Sequence, residues 1–176
     1  MIAVPTFYER RYCDPGREFA MTERWQELQS RIEPGTVIVT DSGQGPLGQI
    51  LLDGRHALTA DEPVAVGGSD TGPNPYELLL MSLGACTAMT LRLYADRKAW
   101  PLEHVVVRLR HSRVHAEDCV DCTTKPARIG RIERGIELVG ALDAAQRNRL
   151  LQIAEMCPVH RTLTGTIEIR TTLAGV

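Results

Sequence analysis

The chain has 176 residues, of which 43% are hydrophobic and 24% charged, and a formal net charge of −2. That length can bury a real core in one domain, with or without an extension, and the composition is globular rather than disordered or fibrous. Acids and bases are mixed along the chain, so no electrostatic footprint for nucleic acid or anionic lipid stands out, and neither a nucleic-acid nor a membrane partner is expected.

The opening, "MIAVPTFYERRYCDPGREF", lacks a basic start followed by an apolar run, so export is not expected and the cytoplasm is the expected compartment. The five cysteines then read as reduced thiols, suited to redox, nucleophilic or metal-binding use rather than to a disulfide framework. Cys13, before the turn at "DPG", receives no role. "MTERWQELQSRI" has helical spacing at Trp25, Leu28 and Ile32 and stops at "EPG". Residues 1–34 therefore read as an N-terminal extension, and 35–176 as the main domain.

From Thr36 onward, short β-branched and apolar runs alternate with glycine and aspartate turns, which predicts an antiparallel meander with strands near 36–41, 47–52 and 55–61. "VAVGGSDTGPNP" is a loop by composition. It leads into "NPYELLLMSLGACTAMTLRLYADR", a long apolar helix in which Asn74 can cap, Pro75 suits the first turn and Glu77 sits where a capping-box acid would. Its apolar part lies between Glu77 and Arg92, shorter than the roughly 20 residues of a membrane span, so it reads as a core helix. The basic end, "ADRK", suits the helix macrodipole.

"EHVVVRLRHSRVH" alternates, with Val105, Val107, Leu109, His111, Arg113 and His115 on one face, and "RIGRIERGIELVG" returns with the same period, so the two predict a hairpin with a long tip. A second helix follows, capped by Asp143 with Gln146 three residues on, and carries Leu150, Ile153 and Ala154 inward. "TGTIEIRTTL" reads as a closing strand. Strands, helix, hairpin, helix and strand make an α+β protein with antiparallel sheet, not a βαβ nucleotide fold. The small residues "GACTA" are expected to let the second helix approach Cys86 closely.

Three features could carry chemistry. Cys86, alone in mid-helix, is most simply a packing residue. Cys157 precedes a proline, which disfavours helical geometry at the cysteine, so it either ends one helix or caps the start of another turn, "PVHRTL". In the second case its thiol pKa is lowered. The hairpin tip "HSRVHAEDCVDC" holds Cys119 and Cys122 at CxxC spacing near His111 and His115. Two histidines four apart on a strand lie about 13 Å apart, too far to share a metal without bending. His115 with the two cysteines could hold one, a redox CxxC is the alternative, and an inert exposed tip is the simplest reading.

"GPNPYELLLMSLGACTAMTLRLYA" together with "EMCPVHRTL" resembles the two-cysteine signature of the osmotically inducible protein C / organic hydroperoxide resistance (OsmC/Ohr) family, over roughly residues 36–173. The resemblance implies an intertwined homodimer, with antiparallel sheets flanking two long central helices and active sites at the subunit interface. It also implies a cysteine-based peroxidase that reduces organic (alkyl or fatty-acid) hydroperoxides without a cofactor and is restored by a dithiol reductant. In that scheme Cys86 matches the peroxidatic cysteine and Cys157 the resolving one, although the local sequence favours the lower pKa at Cys157.

The best-known members place a glutamate directly after the asparagine-proline pair, where it orients a catalytic arginine. Here that position is Tyr76, and Glu77 is the nearest acid. At about 100° per residue, Glu77 points to the opposite face of the helix from Cys86, so capping is its stronger role and catalysis its second. For the arginine, Arg55 is the first choice, with Arg92 and Arg161 as alternatives. The competing function is a non-catalytic, thiol-bearing binding protein for a lipid-like or electrophilic ligand at the dimer interface.

Overall fold

A computed structural model of the chain describes residues 27–115 and 128–173. The chain divides into two compact units, Met1–Pro75 and Tyr76–Val176.

In the first unit, residues 27–30 are helical, in line with the spacing around Leu28. Strands β1 (Ile38–Asp41), β2 (Gln49–Leu52) and β3 (Ala57–Ala60) then form the predicted antiparallel meander in the order β1-β2-β3. Alternation along β2 buries Ile50 and Leu52. In the turn between β2 and β3, the Asp53 carboxylate accepts the main-chain amides of Arg55 and His56.

The loop after β3 is organised by one buried carboxylate. Asp61 accepts the amides of Glu62 (2.8 Å), Ser69 (3.0 Å) and Thr71 (3.2 Å), and the Thr71 hydroxyl (2.9 Å). Gly68 is required there, because a Cβ would lie 1.8 Å from the Glu62 carbonyl oxygen.

The second unit begins on α1 (Pro75–Arg97), a 23-residue helix with Pro75 at its first position and no later proline. By length and composition alone it could cross a membrane. Its row Leu83, Thr87, Leu91 and Ala95 is buried within the unit. Strands β4 (His104–His115) and β5 (Arg128–Val139) pair antiparallel along their whole length, from His104 opposite Val139 to His115 opposite Arg128. Val105, Val107, Leu109 and His111 are half-buried while Val106, Arg108 and Arg110 are exposed, as the alternation predicts.

Helix α2 (Ala144–Ala154) starts with the predicted capping box, Asp143 and Gln146 each bonding the other's main-chain amide. Leu150, Ile153 and Ala154 pack with Leu91, Ala95, Leu102 and Leu142 into the core, and Val105, Ile136 and Leu138 of the hairpin lie against it. Arg147 ties α2 to the end of the hairpin by donating to the carbonyls of Leu138, Gly140 and Leu142.

One expectation needs correction. "TGTIEIRTTL" does not form a closing strand: Thr164 ends α3 (Pro158–Thr164), and residues 166–173 have neither helix nor strand pairing. Alternation makes a strand only where another edge is there to pair with it. In the small-residue run, a Cβ on Gly84 would lie 2.9 Å from Leu109 Cδ1, so this glycine also admits β4.

Asp61 supplies an acid-sensitive contribution to stability. Burial raises its pKa, the four hydrogen bonds lower it, and the hydrogen bonds prevail. A lowered folded pKa stabilises the protein above the ordinary carboxylate value, near 3.9, and the benefit is lost as pH falls through the folded pKa. In urea titrations, the stability gap between the native chain and Asp61→Asn should be widest above about pH 4 and should close on further acidification. A gap independent of pH would contradict this.

Candidate active site

The break at "MCPVH" builds the site. Cys157 has φ −58° and ψ 134°, outside helical geometry, and Pro158 opens α3 immediately after it. The cysteine is therefore the N-cap of a new helix, the second of the two alternatives the sequence allowed. Its Sγ accepts the His160 amide at 3.4 Å, the bond an N-cap oxygen would ordinarily take.

From α1, the Thr87 hydroxyl lies 3.8 Å from Cys157 Sγ, and Cys86 is the residue beside it in the helix. The fold thus brings Cys157 against the residue next to Cys86, across 70 positions of sequence. Both are free thiols, Cys86 half-exposed and Cys157 with 0% of its surface accessible. Burial pushes the Cys157 pKa up, but donation from the His160 amide, Cys86, Thr87 and the Val159 amide outweighs it, and the net shift is downward.

The cation bonded to Thr87 was not among the sequence candidates. Arg134 of β5 donates through Nη1 to Thr87 Oγ1 at 3.0 Å and to the Ala154 carbonyl at 3.2 Å. The sequence did carry a signal: Arg134 stands in phase with Ile132, Ile136 and Leu138, so a charge occupies an inward position of an otherwise apolar strand face.

A family model for OsmC-like protein matches residues 67–172. The chain belongs to the OsmC-like family. Its fold is similar to solved structures of family members at low sequence identity. One is an OsmC-like protein from Mycoplasma pneumoniae, with 20% identity, a TM-score of 0.59, and coverage of 74% of this chain and 86% of that one. Another is the organic hydroperoxide resistance protein OsmC of Legionella pneumophila, with 22% identity, a TM-score of 0.54, and coverage of 74% and 90%. A third is the organic hydroperoxide resistance protein OhrB of Bacillus subtilis, with 21% identity, a TM-score of 0.52, and coverage of 74% and 91%. No curated protein sequence matches the chain.

Within this OsmC-like chain the remaining candidates are placed as follows. Tyr76, at the position of the family's glutamate, stacks on His111 of β4 with ring centroids 4.4 Å apart and planes 15° from parallel. Glu77 lies in the first turn of α1 and lines an open apolar groove of about 470 Å³ with Leu80, Met81, Gly84 and Leu109, a groove in which Cys86 has no part.

Arg92 is engaged in structure, donating to the Leu102 carbonyl and, at 2.6 Å, to that of Glu103. Arg161 is exposed in the last turn of α3, and Arg55 sits in the exposed turn of the first unit. Cys13, Cys119 and Cys122 lie outside the described residues, as does the His115 side chain. Among the described residues, no group of three or more His, Cys, Asp or Glu is placed to hold a metal ion.

The lowered pKa of Cys157 couples the site to stability. The folded thiol sheds its proton below the unfolded value of about 8.5, so the reduced protein gains stability as pH rises from the folded pKa toward that value. The gain is complete above about 8.5 and absent below the folded pKa. Denaturant unfolding of the reduced protein should show this rise, and Cys157→Ala should lack it; a rise of the same size in the variant would contradict the assignment.

Proposed function

We propose that the chain is a thiol-dependent peroxidase that reduces organic hydroperoxides through a Cys86–Cys157 disulfide cycle. The observation that carries this reading is a pair of free thiols of unequal exposure that the fold brings to one place, with Cys157 Sγ 3.8 Å from the hydroxyl of Thr87, the residue next to Cys86. Cys86, half-exposed, can meet a substrate. Cys157, with no accessible surface, can only meet what Cys86 becomes.

Attack by the Cys86 sulfur on the O–O bond transfers the outer oxygen to give a sulfenic acid and releases an alcohol. Cys157 then displaces the hydroxyl, the sulfurs join, and water leaves. A dithiol donor exchanges with the disulfide and returns both thiols. OsmC-like membership and the fold shared with hydroperoxide resistance proteins support the same reading.

The proposed working unit is a cytoplasmic homodimer. Met81, Met89 and Leu93 stand exposed on one stripe of α1, and Ile167, Ile169 and Leu173 are exposed in the closing segment, which is apolar surface that a second copy would cover.

One observation favours a second reading, a non-catalytic binder. The apolar groove along α1 could hold a lipid-like or electrophilic ligand without involving Cys86.

Peptide mass mapping after stoichiometric cumene hydroperoxide, with hydrogen peroxide as comparison, separates the two. The peroxidase reading requires a Cys86–Cys157 linkage that forms faster with the organic oxidant, and a trappable Cys86 sulfenic acid in Cys157→Ser. If both thiols stay reduced, the binding reading replaces it.

A further inference from the structure

A second cavity, of about 260 Å³, lies between α1, β5 and α3, lined by Leu83, Gly130, Ile132, Arg134, His160 and Leu163. It shares no residue with the apolar groove along α1. Gly130, Ile132 and Arg134 stand on one face of β5 because strand residues alternate, and at Gly130 that face carries no side chain. A Cβ there would meet only His111 Nε2 within 4 Å, at 3.4 Å, so the missing side chain leaves this end of the cavity open.

Arg134 supplies the cavity's fixed charge. Its Nη1 donates to the Thr87 hydroxyl at 3.0 Å and to the Ala154 carbonyl at 3.2 Å, and both acceptors are neutral. Nε and Nη2 have no acceptor among the described residues, and no carboxylate among them pairs with the guanidinium. A guanidinium stays ionised, and a charge held at an inward strand position is costly until a counter-charge meets it. The Nε–Nη2 edge offers two parallel N–H groups, the arrangement that the two oxygens of one carboxylate match.

The remaining walls decide which anion fits. Leu83, Ile132 and Leu163 are apolar, and the Thr164 hydroxyl beside them already donates to the His160 carbonyl. Phosphate or sulfate would set oxygens against those hydrocarbon walls without partners, whereas an alkyl chain gains by burial there. The volume lies below the roughly 300–1,000 Å³ of sites for drug-sized ligands, so the chain must be short.

We propose that this cavity binds a small monocarboxylate, with its carboxylate on the Nε–Nη2 edge of Arg134 and its short apolar chain against Leu83, Ile132 and Leu163. The occupant is one residue removed from the Cys157 sulfur along two routes: Arg134 bonds Thr87, which contacts that sulfur, and the main-chain amide of His160 donates to it. The site stands on the geometry of the cavity and is independent of the peroxidase reading.

The test is a nitrogen-15 NMR titration of the reduced full-length protein with hexanoate, with 1-hexanol and inorganic phosphate as comparisons. Affinity is read in every case from the Leu163 amide, and carboxylate contact from the Arg134 Nε–Hε signal, assigned by its loss in Arg134→Lys. Hexanoate should shift both signals saturably. Hexanol, which has the chain without the charge, and phosphate, which has the charge without the chain, should each bind at least about tenfold more weakly. Arg134→Lys keeps the charge but not the two-point fork, and should weaken hexanoate binding by about tenfold. Gly130→Val leaves Arg134 in place and fills the open end, and should weaken it as well. No saturable shift with hexanoate, a comparison compound bound as tightly, or either variant binding hexanoate as tightly as the native chain overturns the proposal. No peroxide enters the experiment, so its result and that of the peroxidase test stand apart.

Discussion

Pro158 is the constraint on which the site depends. It bars helical geometry at the residue before it and supplies no amide hydrogen, so the chain leaving α2 must break at Cys157 and restart as α3. The restart turns the amides of Val159 and His160 toward the Cys157 sulfur. Burial of the same residue against α1 brings in the hydroxyl of Thr87, the neighbour of Cys86. One proline thus converts an apolar cysteine at a helix end into the acceptor of a convergent set of donors. The α1–α2 core, closed by Leu91, Ala95, Leu150 and Ile153, fixes the separation at which those donors meet it.

The chemistry follows from how that set is divided. Cys157 collects the hydrogen bonds but has no accessible surface, whereas Cys86 is half-exposed. A single cysteine with both properties would be reactive toward any oxidant that reached it. Dividing them between two residues keeps the hydrogen-bonded sulfur inside the protein and presents the other to substrate. Arg134 contributes at one remove: its position opposite Leu109 in the hairpin lets a guanidinium reach Thr87 from the strand side while α2 supplies a carbonyl to hold it.

Much of this was legible in the sequence because it is local. The meander, the long hairpin, both long helices and the Asp143 capping box follow from periodicity and cap chemistry, and the two-cysteine signature pointed to the family. What could not be read depended on partners far along the chain. Which side chain meets the Cys157 sulfur was settled by packing against Thr87, 70 positions away. Arg134 was passed over because charged strand residues are usually solvated, although its phase with three apolar neighbours marked it as inward. The closing segment has the alternation of a strand, yet no edge among the described residues pairs with it. Tyr76 was read as a departure from the family pattern, and its stacking on His111 shows what that position does in this chain.

The central claim is that Cys86 and Cys157 act as one redox unit without rebuilding the fold. Crystals of the reduced protein soaked in cumene hydroperoxide test it most directly. The account predicts continuous density between the two sulfurs at about 2.05 Å, with α1 and α3 close to their positions in the reduced protein. Two sulfurs that remain separate thiols, or a Cys86 oxidised while Cys157 stays reduced and unbonded to it, would contradict it.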